Sequence, residues 1–223
     1  MLSVIESDLR ALSMEAKRRF PEVKEAAERG LQRLRAAQEA LPENASLAAQ
    51  SAAVAASEEV LLPFTLALAC KSDALPLCAL SAVQRMISHG AVAPVRLPAI
   101  ASQLIARAQQ PCADEMLLKV LQTVLTIASS PSLLLTDVVV SQLLLLCLTL
   151  LSSKSATIRR TASATSQQFV ALLLDLAAAE TNTNTPPYSA STTAAAPNAV
   201  TAAADERRSA RLPAGVGLGC VAL

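Results

Sequence analysis

The sequence predicts an all-α fold, an armadillo/HEAT-like α-solenoid of about eight helices with a disordered C-terminal tail. Three observations carry this expectation. Apolar residues make up 52% of the 223 residues but aromatics only 2%, so the core must be built from Leu, Ala, Val and Ile, which suits helices packed closely on helices. Segment after segment carries apolar residues at three-to-four spacing, without the alternation of a strand. Prolines fall near helix starts and the segments pair at intervals close to the repeat of about 40–47 residues found in helical solenoids. A helical bundle is the structural alternative.

The punctuation gives each element its bounds. A first helix over residues 3–20 ends before Pro21, which opens the second at its N1 position. The second, over 21–41, shows Phe20, Val23, Ala27, Leu34, Ala37 and Leu41 at helical spacing, with Gly30 as its weak point. Pro42-Glu43-Asn44 breaks the pattern, and a third region covers 45–69, with Ser57 and Glu59 as a possible restart and Pro63 as an expected kink or inner boundary.

The fourth helix lies in LPLCALSAVQRMISHGAV, residues 75–92, where Ala79, Leu80, Val83, Met86 and Ile87 share one arc. Ser81, Gln84, Arg85, Ser88 and His89 fill the opposite, wet arc. Gly90 can take the left-handed conformation that closes it, leaving His89 as a solvated residue of the last turn. Pro94 and Pro111 bracket the next helix, and residues 113–129, 133–152 and 154–180 supply three more. From Thr181 the chain turns to Thr, Ala, Pro and Asn without apolar periodicity, so a folded domain over 1–180 and a disordered tail over 181–223 are expected.

Several function classes recede on the same reading. A formal net charge of +1 argues against a nucleic-acid binder. The cysteines Cys70, Cys78, Cys112, Cys147 and Cys220 are widely spaced, form no CxxC pair, and accompany a single histidine. They read as small hydrophobes of a reducing compartment rather than as metal ligands. No GxxxxGK[ST], GxSxG or HExxH occurs, and the GVGLG run at 215–219 leaves only four residues for the helix a phosphate loop requires. No catalytic residue, cofactor, metal or small-molecule substrate is expected. Glu6 and Asp8 interrupt the N-terminus and argue against a signal peptide or presequence, which favours a cytoplasmic location. Without that signal the Asn44-Ala45-Ser46 sequon is idle. The apolar run 133–151 approaches bilayer length, but Asp137, Ser141 and Gln142 make a core helix the better reading.

Two sets of residues stand out as candidate sites. Arg10, Lys17 and Lys24 recur at heptad spacing with Arg18 and Arg19 beside them, and would form one basic stripe facing anionic lipid or an acidic partner if the first two helices were nearly continuous. A plain solvated face is the competing reading. The chain ends Cys220-Val221-Ala222-Leu223, formally a geranylgeranylation box, with Arg207, Arg208 and Arg211 upstream. Lipidation at Cys220 would make the protein a prenylated, membrane-anchored helical adaptor; a chance match in a low-complexity end is the alternative.

The residues also carry a resemblance. SDLRALSMEAKRRFPEVKEAAERG at 7–30 resembles the N-terminus of the Mon-two family, large Golgi trafficking proteins related to the big Arf guanine-nucleotide exchange factors. EEVLLPFTLALACKSD at 58–73, the 75–92 segment, LLKVLQTVLTIASS at 117–130 and TIRRTASATSQQFVALLLD at 157–175 follow in the order that family shows. The resemblance implies a DCB domain, named for dimerisation and cyclophilin binding, with an armadillo-like fold. It further implies a non-catalytic scaffold in Golgi–endosome vesicle-mediated protein transport, peripheral at trans-Golgi network and endosome membranes. The partners it implies are a second copy, Arf-like small GTPases, neighbouring domains and other trafficking proteins.

Overall fold

The structure, a computed structural model, describes residues 1–183 other than 18, 43, 73 and 134, with side chains as far as residue 179. Nine α-helices are found among the described residues: α1 (Leu2–Ala16), α2 (Pro21–Ala40), α3 (Leu47–Ala55), α4 (Glu58–Ala69), α5 (Ala74–Ser88), α6 (Leu97–Gln109), α7 (Asp114–Ala128), α8 (Asp137–Leu151) and α9 (Ala156–Thr183). A 3-10 turn at Pro94–Arg96 leads into α6, and no strand occurs among these residues.

The helices stand in two rows. One row packs α2 on α4, α4 on α6 and α6 on α8; the other packs α1 on α5, α5 on α7 and α7 on α9. The hairpins α4/α5, α6/α7 and α8/α9 therefore repeat, their first helices starting at Glu58, Leu97 and Asp137, 39 and 40 residues apart. This is the solenoid expected from the spacing of the prolines. The first hairpin is traversed in the opposite order, and α3 carries the chain along to α4.

Each helix buries the stripe its sequence encodes. Along α1 these are Leu2, Ile5, Leu9, Leu12 and Ala16, spaced alternately by three and four. Each buried Leu or Ile contributes about 1.5–3 kcal/mol relative to exposure. Ser46 caps α3 by accepting from Ala49 N at 3.2 Å. Gly90, at φ 66°, closes α5 as its sequence predicts. Its N–H reaches Ile87 O at 2.9 Å and Ala91 N–H reaches Met86 O at 2.8 Å, the paired bonds of a Schellman end.

Two expectations are corrected, at Pro63 and at Gly30. The region 45–69 resolves into two helices at the Ser57 restart, making nine among the described residues where about eight were expected, and Pro63 is not the boundary. The axes of α3 and α4 differ by 65°, because Ser57 is extended at φ −100°, ψ 107°, while Pro63 is buried inside α4. Gly30 is not a weak point of α2 but a site of close approach to α4. A Cβ built there would lie 2.9 Å from Glu59 O, 3.4 Å from Leu9 Cδ2 and 3.6 Å from Pro63 Cγ. Pro63 has no N–H to give the carbonyl four residues back, Glu59 O, and it is this carbonyl that the bare Cα of Gly30 approaches.

The wet arc of α5 is also mostly engaged. Arg85 donates from Nε and Nη2 to both carboxylate oxygens of Asp8 on α1, at 2.9 and 2.5 Å. Gln84 donates from Nε2 to Lys119 O at 3.3 Å and Thr123 Oγ1 at 3.0 Å on α7. Ser88 and His89 remain exposed. The polar side of α5 thus fastens its row neighbours, and His89 is a solvated residue beyond the last turn.

On α6, Arg107 is only 3% exposed. It donates to the carbonyls of Cys70 and Ser72 and to Gln110 Oε1, each at 3.2 Å, tying the α4–α5 turn to α6. No single helix among the described residues is long and apolar enough to cross a membrane. Helix α8, the core of the apolar run, buries Val139, Leu143, Leu146, Cys147 and Leu150 along one side.

Burial pushes the Cys147 thiol up to about 11, with a hydrogen bond from Ser166 offsetting part of the rise. The thiol of the unfolded chain ionises near 9.0, so above that pH the unfolded state loses a proton that the folded state keeps. Stability is therefore expected to fall as pH rises from about 9 towards 11, and to be unaffected by this group below about pH 8. Thermal melts of the parent and of Cys147→Ala at about pH 8 and about pH 10 check this: the parent should lose more between the two, and equal losses would refute it.

Candidate functional site

The turn between α1 and α2 brings part of the basic cluster together. Lys17 stands at φ 39°, ψ −128°, the one described non-glycine residue at positive φ. Such a conformation costs on the order of 1–3 kcal/mol. Phe20 N–H reaches Ala16 O at 3.2 Å and Lys24 N–H reaches Phe20 O at 3.1 Å, so the chain reverses within four residues. The reversal makes an antiparallel hairpin. Arg35, far along α2, meets Glu6 near the start of α1 at 3.2 Å.

Antiparallel helices do not continue a heptad, so the residues divide. Lys17, Arg19 and Lys24 line one open cleft of about 800 Å³ together with Ser13, Met14, Glu15, Ala16 and Glu28. Arg10 does not line it. Its Nη2 lies 2.6 Å from Glu6 Oε1, a carboxylate shared with Arg35. Arg18 and Cys220 lie outside the described residues.

The cleft is cationic but not strongly so. Lys24 Nζ lies 3.6 Å from Glu28 Oε1, and the Arg19 guanidinium lies 5.8 Å from the centre of the Phe20 ring. Exposed pairs of this kind contribute about 0–1 kcal/mol and are screened by salt. Met14 adds an exposed apolar side chain to the wall. Three positive and two negative side chains around a thioether can hold an anionic or amphipathic surface; they do not assemble a nucleophile and a base. Heptad spacing of the cations does not single out Glu28, whose signal in the sequence is its i,i+4 relation to Lys24.

The Cys70 and Cys78 thiols, like that of Cys147, are shifted away from activation. Burial first, and a nearby carboxylate second, raise Cys70 and Cys78 above the ordinary thiol value, Glu22 acting on Cys70 and Asp8 on Cys78. Arg107 and Arg85 respectively pull the other way. These thiols stay protonated at neutral pH and are poor nucleophiles there. No cluster of three or more metal-ligating side chains occurs among the described residues.

Helical hairpins stacked in two rows, with an open cleft at the first turn, define an α-solenoid domain. The chain belongs to the DCB family: the Mon2/Sec7/BIG1-like dimerisation and cyclophilin-binding domain matches residues 1–181, which takes in every block that carried the resemblance. Among curated proteins, Protein MON2 homolog of Homo sapiens is 33% identical over 135 residues, 58% of this chain and 7% of that protein. Protein MON2 homolog of Xenopus laevis is 32% identical over 130 residues, again 58% of this chain and 7% of its own length. The chain thus spans about 7% of the length of the curated relatives it matches.

Proposed function

We propose that this domain is a non-catalytic scaffold in Golgi–endosome vesicle-mediated protein transport, working by self-association and by contact with Arf-like small GTPases, neighbouring domains or other trafficking proteins. The observation that carries this reading is the match of the dimerisation and cyclophilin-binding family to the whole described solenoid. A cytoplasmic, peripheral position at trans-Golgi network or endosome membranes accompanies it. The cleft of Lys17, Arg19 and Lys24 is the surface offered to an anionic leaflet, each cation near the membrane adding on the order of 1 kcal/mol. Glu15 and Glu28 in the same wall keep that attraction weak.

A fluorescent fusion of the full chain tests the reading against a Golgi marker. Co-localisation is expected for the parent, reduced several-fold in Lys17→Glu/Lys24→Glu and unchanged in Cys220→Ser. A parent spread evenly through the cytoplasm would overturn the assignment to Golgi membranes. Recruitment lost in Cys220→Ser alone would move the function to the prenylated adaptor.

A further inference from the structure

Helix α8 has one side that the solenoid does not cover. Val138, Leu145 and Leu148 are 58%, 58% and 55% exposed, and Ser141 lies exposed among them. At 100° per residue these four fall within an arc of about 80°. Their spacing of three, four and three is the seam of one helix pairing with another. The helix carries no charge after Asp137 until Lys154 follows its C-terminal end. An uncharged ridge this long is costly to leave in water and poorly suited to a basic or acidic partner.

We infer that a second copy of this chain packs on the ridge, α8 against α8, antiparallel about a two-fold axis near Leu143. The inference rests on the self-association put forward above and assigns it a surface. Positions 138 and 148, and positions 141 and 145, are each centred on 143, so an antiparallel mate sets Val138 against Leu148 and the small Ser141 against the large Leu145. Large faces small on both sides of the axis, as an isologous interface requires. The same orientation brings the exposed Asp137 at the start of one α8 to the end of the other, where the exposed Lys154 stands. Opposite charges meet at both rims, and the two helix dipoles oppose. A parallel mate would instead set Asp137 beside Asp137.

Sedimentation velocity of the full chain over a range of concentrations tests this. The parent is expected to dimerise, and Leu145→Asp/Leu148→Asp to raise the dissociation constant at least tenfold with unchanged helical circular dichroism. Because that variant could loosen α8 itself, a charge exchange supplies a second measurement. Asp137→Lys should weaken the dimer, and adding Lys154→Asp to it should restore the affinity, which general destabilisation would not do. A parent dimer that is insensitive to both sets of changes keeps self-association and overturns the ridge. A parent that stays monomeric throughout overturns both, whether the ridge then binds phospholipid vesicles or an unrelated protein.

Discussion

Phe169→Ala is expected to lower the unfolding free energy by about 3–5 kcal/mol, the cost of truncating a fully buried aromatic in a core that collapses only partly. Phe169 is completely buried and closes the stripe Ile158, Ala162, Thr165 and Phe169 along α9. Beyond it the helix is held loosely: Leu172 and Leu173 are half-buried, and Leu174 and Leu176 are exposed. None of the later described side chains of α9 is fully buried. Stacked repeats contact chiefly their neighbours, so the loss should concentrate in the terminal hairpin. Hydrogen exchange is the measurement of choice. Amides of α8 and α9 should lose protection while those of α1 and α2 keep theirs, and Phe169→Leu should recover most of the loss. Uniform loss of protection along the chain would show a single cooperative core instead.

Gly30→Val is expected to destabilise by about 2–3 kcal/mol, through overpacking at the crossing of α2 on α4. The first added carbon already meets Glu59 O at 2.9 Å, and a backbone carbonyl cannot rotate aside as a side-chain tip can. Gly30→Ala is the sharper comparison, because Ala favours a helix over Gly by about 1 kcal/mol. If the helix were isolated, Ala would stabilise it. Here the clash outweighs the propensity and a net loss of about 1 kcal/mol is expected. For a domain of this size each kcal/mol corresponds to roughly 2–4 °C in melting temperature. Thermal melts of both variants decide: a higher melting point for Gly30→Ala would mean that α2 and α4 have slack at their crossing.

The two glycines at 30 and 90 show where local reading holds and where it fails. Gly90 ends a helix because its own φ is positive, a property of one residue and its neighbours, and the sequence declares it. Gly30 has ordinary helical geometry. Its value lies in the absence of a side chain opposite a carbonyl 29 positions away, so a local scale marks it as a defect. Pro63 fails for the same reason: in isolation it breaks a helix, but packed at this crossing it sits inside α4, beside the carbonyl it leaves without a helical donor.

The basic cluster divides along the same line. Heptad spacing aligns Arg10, Lys17 and Lys24 only on a continuous helix, and the reversal at residues 17–20 removes that condition. What brings Lys17, Arg19 and Lys24 to one cleft is the turn; what removes Arg10 is Glu6, one helical turn before it, shared with Arg35 from the antiparallel helix. In α8 the sequence is so uniformly apolar that its periodicity cannot say which side faces in. Burial of Leu143 and Cys147 against exposure of Leu145 and Leu148 is decided by the position of α6 and α9 around it.

By itself, then, the sequence determined the helical class, the order of the helices with many of their ends to within a few residues, the stop at Gly90 and the family, because these follow from short-range periodicity, capping chemistry and extended blocks of residues. Only the tertiary structure decided which row each helix joins, that Gly30 and Pro63 are contacts rather than breaks, that Arg85 reaches Asp8 across 77 positions, and which side of α8 stays bare. Those outcomes depend on side chains that meet across the stack, and neither periodicity nor propensity records a meeting between residues far apart in the chain.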